Sequence, residues 1–263
     1  MAQPALADEG GVSFWIPGFF GSLAAVPQQP GWSLTDIFYN TNVKAGGDVA
    51  LSREFEIGNV PLHFSGSASA SVKADVPLDL GIVQYVFATP VLGGQLAAAL
   101  LGGYGRNDTN ITGTLNITSP IMKSISIDRT DIQWGSTDLL PFVSLRWNQG
   151  VNNWMIYGTG DIPVGAYQST RLANIGIGHG TVDAGVGYTY FNQPTGREFS
   201  AVLGFTANLE NTSTNYTNGV DMHLDWGASQ FLNKQDMVGL VGYVYKQLSC
   251  DSGSGDHVGC FES

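Results

Sequence analysis

Three segments of this chain alternate apolar and polar residues without a break over about ten positions, a period that excludes most ways of folding. In TVDAGVGYTYF, Val182, Ala184, Val186, Tyr188 and Tyr190 share one face, against Thr181, Asp183, Gly185, Gly187 and Thr189. In EFSAVLGFTANLE the apolar face is Phe199, Ala201, Leu203, Phe205, Ala207 and Leu209, and the other carries Ser200, Gly204, Thr206, Asn208 and Glu210. In VDMHLDWGASQF, Val220, Met222, Leu224, Trp226 and Ala228 interleave with Asp221, His223 and Asp225. Successive side chains of a strand point to opposite faces, so each segment reads as a strand with one dry face. NQPTG joins the first two, with Pro194 and Gly196 in hairpin-compatible positions. Further strands are predicted over 31–43, 48–57, 61–73, 79–89, 94–104, 110–118, 138–147, 153–160 and 237–248, about a dozen in all.

The strands run about ten residues, longer than the ~5–6 typical of a soluble sandwich. No window offers the ~18 apolar residues of a membrane-spanning helix, but a spanning strand needs only ~9–11 with one apolar face. A composition of 43% hydrophobic and 13% charged residues, with 35 glycines, fits that alternative. Connectors are short at NQPTG, NQGVNN and NKQD, and long and polar over 160–180 and 209–219. Trp147, Trp154, Tyr157, Tyr188, Tyr190, Trp226, Tyr243 and Tyr245 fall near strand ends, as interfacial girdles would. The expected fold is all-β: an antiparallel transmembrane β-barrel of about a dozen strands. A net charge of −11 excludes sequence-independent nucleic-acid binding, which needs a cationic surplus to replace phosphate counterions.

On a barrel wall, Asp221, His223 and Asp225 face the lumen, with Asp183 and Glu210 inward on neighbouring strands. Polar lining is what a wet lumen requires, and a cation site would need ligands from a second strand. In TGDIPVGAYQSTRLANIGIGHG, Asp161 and Arg171 either set a transverse field across a constriction or belong to a solvated outer loop. GVSFWIPGFFGSLAAVP is too short for a membrane helix. Residues 8–30 read as an apolar plug or as a first strand, and Phe14, Trp15, Phe19, Phe20 and Leu23 as an apolar cradle for a solute. Ala5, Leu6 and Ala7 resemble a cleavage site, making residues 1–7 the tail of an export signal and 31–263 the barrel. Cys250 and Cys260 close a short Gly/Ser loop that suggests a disulfide, and Asp251 and Asp256 within it make a weak calcium candidate. No G-x-S-x-G elbow is present, His223 faces inward and His179 and His257 lie in loops. Neither catalysis, a cofactor nor a resident metal is expected.

The runs GFFGSLAAVPQQPGWSL, YVFATPVLGGQ, YGTGDIPVGAYQSTRLANIGIGHG, GYTYFNQPTG and HLDWGASQFL resemble the outer-membrane, transporter-like family named for the meta-cleavage pathway of phenol degradation. The resemblance extends over most of residues 10–263. It implies a bacterial outer-membrane β-barrel associated with aromatic-compound catabolism, with lipid and small apolar or aromatic solutes as partners and no catalytic residue set. Members usually continue past the cysteine loop with further strands, so a barrel of about 12 to 16 strands is expected for the intact protein. The function so implied is passive uptake, the alternatives being a surface binding or adhesion barrel with a filled lumen and, less favoured, an outer-membrane hydrolase.

Overall fold

The computed structural model describes residues 14–46, 65–119 and 123–254. Ten strands form one antiparallel sheet: β1 (Gly31–Gly46), β2 (Ser65–Val86), β3 (Gln95–Ser119), β4 (Lys123–Ser136), β5 (Leu140–Gln149), β6 (Asn152–Asp161), β7 (Thr181–Asn192), β8 (Arg197–Asn208), β9 (Asp221–Phe231) and β10 (Met237–Gln247). Neighbours in the chain are neighbours in the sheet, except that β4 and β5 both lie beside β3, β5 against Gln95–Leu101 and β4 against Tyr104–Ile117. The sheet curls into a half-barrel. No helix occurs among the described residues, and none could therefore cross a membrane, which leaves crossing by strands untouched.

The strand count differs from the expected dozen for identifiable reasons. The described part of segment 61–73 and most of 79–89 are one strand, β2, because Pro77 sits where the ladder to β3 skips from Asp75 to Leu78, so its missing N–H costs no bond there. Segments 94–104 and 110–118 are likewise one strand, β3. Its glycines are places of close approach rather than turns: a Cβ on Gly103 would lie 2.2 Å from the Asp79 carbonyl, and one on Gly105 2.4 Å from that of Pro77. Strand β4 was not expected, although Ile125 and Ile127 alternate with Ser124 and Ser126. The predicted 48–57 strand, residues 1–7 and Cys260 lie outside the described residues.

Burial along the strands is inverted relative to a soluble protein. Asp183, Asp221 and Asp225 are each 1% exposed, whereas Val182 is 58% and Val186 56% exposed. In β9 the buried positions are Asp221, His223, Asp225 and Gly227, and Met222, Leu224 and Trp226 lie on the more open face. The concave side is thus polar and the convex side apolar.

Candidate functional site on the inner face

Residues 14–30 contain turns and no strand, and they cross the concave face from β9 to β2 before entering β1. Each step is held by a polar side chain that the period of two points inward. The Asp225 carboxylate of β9 accepts the Gly18 N–H at 2.9 Å and the Phe20 N–H at 3.1 Å. Glu198 of β8 accepts the Leu23 N–H at 3.0 Å, and also hydrogen bonds from Ser200 and Ser229. Thr189 of β7 accepts the Ala25 N–H at 3.0 Å, and Arg146 of β5 donates Nε–H to the Ala24 carbonyl at 3.3 Å. Gln95 of β3 and Gln84 of β2 then take Gln28. Leu23 adopts φ 64°, a left-handed conformation that a leucine holds only where its surroundings fix it.

Aromatic packing completes this strap. Trp15 stacks on the His223 ring with centroids 3.5 Å apart and planes at 17°. The His223 Nε2–H donates to Asp183 Oδ2 at 2.9 Å, which sets the tautomer, and the Tyr157 hydroxyl lies 3.4 Å from the same nitrogen. Asp183 also accepts the Thr206 hydroxyl at 2.6 Å. Phe20 packs on Tyr157 at 5.3 Å between centroids. Phe14, Trp15 and Phe19 face Leu101, Phe142 and Thr159 across an apolar cleft. The single hydroxyl on that cleft, Thr159 Oγ1, is spent on the Pro141 carbonyl. Leu23 does not line the cleft; it holds the strap through its backbone.

The trio read from the sequence therefore has three separate tasks. Asp225 holds backbone amides, His223 carries a stacked indole, and Asp221 accepts Asn208 Nδ2 at 2.9 Å. Asp183 joins His223 from β7, as its inward position allows. Glu210 does not join them: it lies two residues beyond β8, exposed, where strand alternation no longer applies. Tyr157, Tyr243 and Tyr245 also depart from the outer-girdle reading. Tyr243 pairs Asp225 and Tyr245 pairs His223, and directly paired residues share a face. Among the described residues, no three His, Cys, Asp or Glu side chains are placed to hold a metal ion.

The long loop 162–180 folds back over inward side chains of β3 and β4, Asn107 donating to the Asn174 carbonyl at 2.7 Å, and its Ile177 packs against the strap's core. Arg171 forms a two-pronged ion pair with Asp131 of β4, Nη2 to Oδ1 at 2.6 Å and Nε to Oδ2 at 3.2 Å, so Arg171 and Asp161 are not brought together. The hydrogen bonds from Arg171 hold the Asp131 carboxyl well below its usual value, at about 2. Asp138 closes the loop at its base, accepting the Gly165 N–H and the Ile177 N–H, each at 2.7 Å. Asp251 is occupied by Tyr216, Gly219 and Gln247 donors, which leaves its carboxylate satisfied without calcium.

No curated protein and no solved structure matches the chain. A family profile does match, over residues 62–261, which takes in the sheet from β2 to β10. With most of its length covered, the chain belongs to the family described as "Putative MetA-pathway of phenol degradation".

Proposed function

We propose that the protein is an outer-membrane channel through which small apolar or aromatic molecules enter by passive diffusion, without cofactor, energy coupling or catalysis. The observation that carries this reading is the inverted burial: a convex face of exposed Val182, Val186 and Phe205 suits lipid, and a concave face of buried Asp, Ser and Thr suits a wet lumen. An outward rung of Trp147, Trp154 and Tyr188, each paired with the next and continued through Ala201 to Trp226, supports it as an interfacial aromatic belt. The cleft of Phe14, Trp15, Phe19 and Phe142 supports an aromatic solute, since offset and edge-on rings favour one another. The family's link to phenol degradation points the same way.

A second reading, a surface binding barrel with a filled lumen, is favoured by the strap itself, which is pinned to strands from β9 to β2. Initial uptake of a labelled aromatic acid and a neutral aromatic, in cells with and without the gene, separates the two. A gene-dependent rise at low external concentration supports the channel. Equal rates, with the protein shown to be in the outer membrane, overturn it in favour of the binding barrel.

A further inference from the structure

The inner face carries several buried carboxylates but, among the described residues, a single buried Lys or Arg: Arg146, 4% exposed. The two acids that accept the strap's own amides, Asp225 and Glu198, are satisfied. Asp225 takes two backbone amides, and Glu198 takes Leu23, Ser200 and Ser229. Arg146 is not. Its Nε–H reaches the Ala24 carbonyl at a long 3.3 Å and one Nη1 hydrogen goes to Ser144 Oγ at 2.6 Å. No described residue accepts from Nη2, and no described carboxylate lies within ion-pair distance. A guanidinium removed from water without a counter-ion is costly, in a chain whose net charge is −11.

The position is also directional. Following the register, Arg146 pairs Met155, Met155 pairs Gly187, Gly187 pairs Val202 and Val202 pairs Asp225. Arg146 and Asp225 thus occupy one rung of the curled sheet, the cation on β5 and the anion on β9. Along β5, Phe142, Ser144 and Arg146 share the inward face, so the guanidinium lies two inward positions along the strand from the cleft's Phe142.

We infer that Arg146 is a recognition site for the carboxylate of a small aromatic acid. A planar carboxylate matches the guanidinium fork and is a stronger acceptor than the Ala24 carbonyl it would compete with. The inference rests on reading the concave face as a solute path, and it narrows the solute from aromatics in general to aromatic anions.

The test is equilibrium binding of benzoate and of benzyl alcohol, its neutral counterpart, to the full chain purified in detergent, with R146Q and R146K. Heat-modifiable electrophoretic mobility reports folding of each variant. Wild type is expected to bind benzoate saturably and in preference to benzyl alcohol. R146Q is expected to weaken benzoate roughly tenfold or more, the loss of one charge-assisted hydrogen bond, while leaving benzyl alcohol unchanged. R146K is expected to retain part of the benzoate affinity. Equal benzoate affinity in wild type and folded R146Q, or no preference for benzoate in wild type, overturns the site and identifies Arg146 as merely hydrated. Flux of both solutes into proteoliposomes keeps the two ideas apart. Charge-dependent binding without flux refutes the channel and upholds the site, and flux with no charge dependence does the reverse.

Discussion

Replacing Asp225 by alanine removes the acceptor for two strap amides, Gly18 at 2.9 Å and Phe20 at 3.1 Å. Hydrogen bonds to a charged partner contribute about 1.5–3 kcal/mol each, so the docked strap should lose about 3–6 kcal/mol. At about 1.4 kcal/mol per tenfold, the ratio of docked to released strap then falls roughly a hundredfold or more. Asp225→Asn keeps one acceptor oxygen and should cost about half as much, close to tenfold. Amide hydrogen exchange in detergent reads this directly, because exchange from a locally opened segment follows its opening free energy. Protection at Gly18 and Phe20 should fall by those factors in the two variants while the amides of β7 and β8 hold their wild-type rates. Unchanged protection at Gly18 and Phe20 in Asp225→Ala would refute the carboxylate as the strap's anchor. A loss spread evenly over the sheet would refute it too, by assigning Asp225 to the wall.

Gly204→Ala should lower the heat-modifiable unfolding temperature, at a cost of about 1–3 kcal/mol for overpacking. The added Cβ would lie 2.0 Å from the Tyr157 hydroxyl and 2.5 Å from His223 Cε1, whereas Gly81→Ala, with its nearest neighbour at 3.8 Å, serves as the tolerated control. Val186→Arg, on the convex face, should destabilise folding into lipid vesicles by about 2–4 kcal/mol, and an unaltered folding yield would contradict a lipid-facing surface. The Asp131 carboxyl is held low by Arg171, so its tether contributes fully above the ordinary carboxylate range and is lost as pH falls toward about 2. A spin label at Ser169 should therefore stay immobile from pH 7 to about 5 and loosen below about pH 4, and Asp131→Asn should loosen it already at pH 7.

Alternation made the walls readable. It placed β7, β8 and β9 within two residues of their ends and oriented Asp183, Asp221, His223 and Asp225 correctly, because a period of two fixes face as well as element. It failed where local signals point the wrong way. Pro77 and the GGYG run of β3 look like turns, yet they fall where a ladder bond is dispensable or a neighbouring backbone needs room. Parity also could not say where β8 ends, which is why Glu210 was placed inward. The strap was beyond local reading altogether. Trp15 meets His223 across most of the chain's length, and nothing near residue 15 reports the ring it will cover. Arg146 had a readable parity, but its lack of an anionic partner becomes visible only when every inward side chain has been paired off.

Asp138 gives the long loop an unusual construction. Gly165 and Ile177 donate to its two carboxylate oxygens, so the residues between them form a ring whose base is fastened by one side chain, while Asp131 holds its far side through Arg171, Leu172 and Ala173. The entropy of closing such a ring grows only slowly with its length. Foreign residues inserted beside Ser169 would therefore leave the ring's base at Asp138 in place, making this tip a graft point for surface display. Removing the Asp138 carboxylate would open the base of native and grafted loops alike, leaving the tether at Asp131 in place.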